Sequence, residues 1–283
     1  MTVRDLLGVV LSAGEDEPVL AAMDGLLRKG DNGVVLLLAT IPDPVYGADG
    51  MMSPEIWPQV IAQTREQFAR ERNRLEQRAK PAGAHVEVRA EEVQASHAAT
   101  ETVFAARHAD LTIMLRPGGL VVGERQALFE AALFGAGRPV LLVPPDWRPR
   151  GIGRNIAIGW NASRESARAL ADALPLLLES EWASAAHISV ITIDPERSPR
   201  RAAGRSAAQI CGWLERKGLN ITLHPISSQG QDEGEVLLAE AHALGADLLV
   251  VGGYGKTRLR EFVFGGVTRS LTQISDLPLL MSH

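Results

Sequence analysis

One pattern occurs twice in this chain, and it limits the fold more than any other feature. Ala109-Asp110-Leu111-Thr112-Ile113-Met114 returns about 140 residues later as Ala246-Asp247-Leu248-Leu249-Val250-Val251. Each copy is followed by a proline and a short apolar run, Pro139-Val140-Leu141-Leu142-Val143 and Pro278-Leu279-Leu280-Met281. Two landmarks at nearly equal offsets imply two similar halves, each a comfortable size for one domain. The division is residues 1–143, a linker at 144–153 (the proline-stiffened Pro144-Pro145-Asp146-Trp147-Arg148-Pro149-Arg150 lies inside it) and residues 154–283.

Each half alternates short apolar runs with helical periods. In the second half the strands are read at Ile156–Trp160, His187–Ile193, Leu219–Leu223, Asp247–Val251 and Pro278–Met281. Helices are read at Ser166–Leu178, Ala203–Lys217, Glu233–Leu244 and Val267–Ile274, with Ser163 as a cap and Gly218 and Gly245 as C-terminal stops. The first half has strands at Leu6–Leu11, Val34–Ala39, His85–Arg89, Leu111–Leu115 and Val140–Val143. A long helix from about Pro58 to Ala79 has a charged face read as solvated, and Ile41–Trp57, with three prolines and two glycines, is read as a loop. Alternating strands and helices give βαβ units, so the fold class is α/β: two tandem domains, each a five-stranded mostly parallel sheet with helices on both faces. The halves are expected to meet through their last strands, as two domains with separate sheets and cores. Aromatic residues make up only 5% of the chain, which suits buried parallel strands better than an aromatic-rich sandwich.

Composition excludes several classes. A formal charge of −5 argues against a general nucleic-acid binder. No apolar run is long enough to span a bilayer, and no signal peptide is read, so a cytoplasmic location without a membrane partner is expected. Cys211 is the only cysteine, which rules out an intrachain disulfide and a cysteine-based zinc site. The seven histidines have no metal-ligand spacing, and Ser12, Ser163 and Ser166 have no triad partners, so no catalytic residue and no metal ligand is assigned.

In a doubly wound sheet, ligands bind at the carboxyl ends of strands. After the fourth strand of the second half comes Gly252-Gly253-Tyr254-Gly255-Lys256-Thr257-Arg258, and Gly265-Gly266-Val267-Thr268-Arg269 then opens a helix. Glycines there allow close backbone approach. The exposed N–H groups at the helix start favour an anion, and Thr268 can add a hydroxyl. Gly255-Lys256-Thr257 is not the tail of a phosphate-binding P-loop, because Val250 stands where that motif needs a glycine.

Gly252, Gly255 and Gly265, with two and nine residues between them, match the nucleotide-binding spacing of universal stress proteins. The stretch from Ala246 to Leu271 fits that family's fourth-strand-to-helix signature. The resemblance covers the second half fully and the first half weakly, so the chain resembles a tandem universal stress protein. It implies a stress-response protein that binds ATP or another adenine nucleotide, with Mg2+ left open, in the second half. The implied contacts are Gly252, Gly253, Gly255, Gly265, Gly266, Val267 and Thr268 for the phosphates and ribose, and Trp160 and Asn161 at the end of the first strand. Two positions depart from the family pattern. Gly266 stands where Ser or Thr is usual, and Asn161 stands where Asp is usual.

The first half keeps little of the motif. Leu115 aligns with Gly252, Ser12 lies near the Asp position, and Gly118 and Gly119 remain. It is expected not to bind nucleotide and to complete an intrachain pseudo-dimer, which leaves a homodimer open. The resemblance implies a regulator, at most a weak ATPase. The alternatives are a stress scaffold that binds protein partners and no nucleotide, and an adenylating enzyme on the related nucleotide α-hydrolase-like fold. The enzyme is disfavoured because no Ser-Gly-Gly-x-Asp-Ser loop follows either first strand.

Overall fold

A computed structural model describes the chain apart from residues 1–2, 13, 15, 42, 44–56, 79–83, 118–121, 149–150, 180–186, 197–200 and 255–265. The first half runs β1 (Asp5–Val10), α1 (Glu17–Leu26), β2 (Asn32–Ile41), α2 (Trp57–Arg78), β3 (His85–Gln94), α3 (Ala98–Ala106), β4 (Leu111–Leu115), α4 (Val122–Gly135) and β5 (Val140–Val143). The second half runs β6 (Asn155–Gly159), α5 (Arg164–Glu179), β7 (His187–Ile193), α6 (Arg201–Glu215), β8 (Asn220–Ile226), α7 (Glu233–Ala243), β9 (Leu248–Gly252), α8 (Gly266–Ile274) and β10 (Leu279–Ser282). Most of the loop read at Ile41–Trp57 lies outside the described residues.

The strand order is β3-β2-β1-β4-β5-β10-β9-β6-β7-β8. Each half therefore has the same internal order, arranged outward from the middle of the sheet. All neighbours are parallel except β5 and β10, which pair antiparallel with Leu142 opposite Leu279 and Val140 opposite Met281. The expected meeting of the last strands is present. The expectation of separate sheets and cores gives way. Edge-to-edge pairing satisfies the open hydrogen-bonding groups of both strands, so one ten-stranded sheet results. Its apolar packing is divided by face rather than by half. One buried cluster joins Leu6, Ile113, Leu141, Ile156, Val190, Leu214 and Leu280, and the other joins Leu7, Phe129, Leu142, Leu249, Leu271 and Leu279.

The repeated aspartate has the same structural task in each half. The Asp110 carboxylate accepts the N–H groups of Arg4 and Asp5, at the start of β1. Asp247 accepts those of Gly153, Arg154 and Asn155, at the start of β6. Gly218 and Gly245 have φ of +84° and +66°, the left-handed conformation that stops a helix. The charged face of α2 is solvated as expected: Arg72 pairs with Glu76 and Arg70 with Glu66, while Leu75 is buried. Among the described residues, no helix is long and apolar enough to cross a membrane.

Candidate functional site

From β6 the chain runs outward through β7 and β8, then returns to β9 on the other side of β6. That reversal is the switch point where an open α/β sheet presents a crevice. β6 and β9 are parallel neighbours, with Gly159 opposite Val251. Trp160 and Asn161 therefore leave the sheet beside Gly252 and Gly253.

Gly252 is required by packing. A Cβ there would lie 2.5 Å from the backbone carbon of Glu165 and the backbone nitrogen of Ser166. The missing side chain lets the first turn of α5 close onto β9. The sequence reading assigned that space to an approaching ligand; helix backbone fills it instead. Gly253 faces the first half of the chain, where a Cβ would come within 2.9 Å of Leu133 on α4.

Tyr254 follows with φ +50°, unusual for a residue with a side chain. Its N–H donates to Thr268 Oγ1 at 3.2 Å. Thr268 is buried in the first turn of α8. This bond ties the exit of β9 to the start of the helix. Accepting it leaves the Thr268 hydroxyl proton able to donate. Gly266 is exposed, and a Cβ there would meet none of the described residues within 4 Å. The first turn of α8 carries no acidic residue, and Arg269 is exposed beside it. An anion at this helix start would meet the positive end of the dipole with no carboxylate in that first turn to compete. Gly255 and Gly265, with Lys256 and Arg258, lie outside the described residues.

Trp160 is buried. Its backbone N–H donates to the Ile191 carbonyl, and its indole Nε1 has no hydrogen-bond partner among the described residues. Asn161 is exposed, with Oδ1 accepting the Ser163 N–H at 3.1 Å. Ser163 caps α5 as read from the sequence, its Oγ accepting the Ser166 N–H. The Asn161 oxygen is thus engaged in the turn into α5, which leaves its amide NH2 as the group facing solvent.

Asp194, directly after β7, is not among the residues singled out from the sequence. It is buried, has φ +47°, and accepts from the Ser228 N–H and from the hydroxyls of Ser227 and Ser228. These bonds fasten the exit of β8 to that of β7. An Asp directly after a buried strand was the available signal.

Comparison with known proteins identifies the architecture. The model of the universal stress protein family matches residues 153–283. The second half of the chain is a universal stress protein domain. Over its whole length the chain is similar in fold to a universal stress protein from Archaeoglobus fulgidus DSM 4304, with a TM-score of 0.72 at 15% identity, covering 100% of this chain and 99% of that one. A putative universal stress protein from Pseudomonas aeruginosa UCBPP-PA14 gives 0.53 at 14% identity, covering 99% and 93%. The cytoplasmic domain of a prokaryotic cation chloride cotransporter gives 0.50 at 14%, covering 99% and 95%. No curated protein matches the chain in sequence.

The first half differs from the universal stress protein half at the corresponding place. Asp16, preceding α1, is fully buried. It accepts the N–H groups of Leu11 and Ser12, in the turn that leaves β1. Arg125, in the first turn of α4, pairs with it at 2.5 Å. Counting from the helix starts, Arg125 corresponds to Arg269 and Asp16 to Ser163. The first half thus fills with its own charges the space between the exit of β1 and the start of α4. Leu115, the counterpart of Gly252, is buried in the apolar cluster beside Leu111 and Ile113. Gly118 and Gly119 lie outside the described residues.

Proposed function

We propose that the universal stress protein half binds ATP or a related adenine nucleotide at the switch point between β6 and β9, and that the chain works as a stress-response regulator. The observation that carries this reading is the Tyr254–Thr268 bond. It ties the exit of β9 to a helix start where no described residue crowds Gly266. Phosphates would be held by the N–H groups of Gly265, Gly266 and Val267 and by the Thr268 hydroxyl. Gly253 and Gly255 belong to the loop around them. Trp160 and Asn161 would face the nucleoside, Asn161 through its amide. Gly252 contributes by letting α5 close onto β9. The nucleotide supplies the charge that this helix start attracts, and Mg2+ is left open as its counter-ion. No catalytic base and no P-loop lysine is assigned, so hydrolysis is slow or absent. Arg125 and Asp16 support binding in the second half only.

The engaged Asn161 oxygen favours a second reading, a stress scaffold that acts through protein partners and binds no nucleotide. The fold shared with the cytoplasmic part of a transporter is compatible with such a role. Mass spectrometry of small molecules released from purified, denatured protein separates the two. An adenine nucleotide recovered near one per chain supports the first reading. None recovered, together with no binding of added ATP, supports the second.

A further inference from the structure

The loop that leaves β9 rests on the other half of the chain. The Tyr254 ring packs against Phe134 of α4 with centroids 5.2 Å apart, and its hydroxyl accepts from Gln126 Nε2 at 3.4 Å. Gly253 lies flush against Leu133, the neighbour of Phe134. His283 stacks edge-on against Phe134 at 4.8 Å, and its Nδ1 lies 3.0 Å from the Gly253 carbonyl oxygen. Two consecutive loop residues are thereby gripped by one face of α4.

α4 is itself firmly held. The buried Arg125–Asp16 pair fixes its first turn to the start of α1, and Phe129, Ala132 and Leu133 are buried below. The contact is matched in the other direction. Arg116, just after β4, donates to the carbonyls of Thr272 and Gln273 on α8. Each half therefore touches the fourth helix of the other.

We propose that the first half serves as a built-in clamp on the nucleotide loop, with Phe134 as the positioning residue that holds Tyr254 in its left-handed turn. This rests on the nucleotide reading above. A left-handed tyrosine is strained unless its surroundings over-determine it. Here the ring is anchored on α4 and the N–H on Thr268, so α4 helps to set the conformation in which Gly253 and Tyr254 leave β9. A half that has filled its own site would then act on the site of its neighbour. Because Tyr254 is tied to Thr268, whose hydroxyl is assigned above to the phosphates, the effect falls on ATP and not on adenosine.

The test uses the full chain with Phe134→Ala, Tyr254→Ala and, as the ring-preserving control, Tyr254→Phe. Binding of ATP and of adenosine is measured by calorimetry, and amide hydrogen exchange at Gly253 and Tyr254 is measured without ligand. Loss of the aromatic contact is expected to weaken ATP binding by roughly fivefold to tenfold. Adenosine affinity stays the same, and amide exchange at the two positions becomes faster. Tyr254→Phe keeps the behaviour of the wild type. Unchanged ATP affinity in both alanine variants, or equal losses for ATP and adenosine, would overturn the clamp while leaving the nucleotide reading in place. A wild-type chain that binds no ATP would instead overturn the nucleotide reading, and unchanged exchange at Gly253 and Tyr254 would then remove the clamp as well.

Discussion

Arg125 Nη1 lies 2.5 Å from Asp16 Oδ1, with 6% and 0% of the two side chains exposed. The pair spans more than a hundred residues of sequence and joins the first turn of α4 to the entry of α1. Breaking a buried pair on one side leaves an uncompensated charge. Arg125→Met is expected to destabilise the protein by about 3 kcal/mol in urea denaturation, with little dependence on salt. A loss below about 1 kcal/mol, the range of exposed pairs, would mean that water reaches the pair.

Gly252 and Gly266 are both glycines of the motif, yet they should respond in opposite ways to a side chain. Gly252→Ala places a methyl group against backbone atoms of α5 that cannot rotate away. The expected cost is about 1–3 kcal/mol of stability, read from chemical denaturation with no nucleotide present. A neutral result would show that α5 can slide away from β9.

Gly266→Ser meets none of the described residues and restores the hydroxyl of the family pattern. Stability should change by less than about 0.5 kcal/mol, as for an ordinary surface substitution. A hydrogen bond to a charged phosphate adds at most about 1.5–3 kcal/mol, so ATP affinity should rise by up to tenfold or more. Unchanged affinity would place the phosphates away from the start of α8.

Much of the fold was legible because strand burial and helix periodicity are local signals. Leu111–Leu115, Val140–Val143 and His187–Ile193 were read with the boundaries that the structure has, and Asp110 and Asp247 marked the equivalent point in each half. What stayed hidden depends on distant residues meeting. The lack of room for a Cβ at Gly252, which would lie 2.5 Å from the α5 backbone, arises only because α5 folds back over β9. The left-handed backbone of Tyr254 is held by Phe134 and Thr268, and nothing in the sequence around Tyr254 requires it. Asp16 and Arg125 lie 109 residues apart, and only the packing of α1 and α4 brings them together.

Cys211 tests the burial of α6. Its thiol is pushed above the ordinary cysteine value, first by burial and then by the negative charge of Glu215. Iodoacetamide at neutral pH should modify the folded chain far more slowly than the urea-unfolded chain, as intact-mass spectra would record. The unfolded thiol ionises first, near about pH 8.5, so the contribution of Cys211 to stability falls as pH rises beyond that point. Equal modification rates in the two states would contradict the packing of α6 on the sheet.

The proposed function places one nucleotide site on each chain, in the second half, at the glycine loop and the start of α8. Titration calorimetry of ATP into the full chain and into Gly265→Val addresses it directly. One site per wild-type chain and no detectable binding to Gly265→Val are expected, with the variant still folded. Two equal sites, or equal affinity in the two proteins, would contradict it.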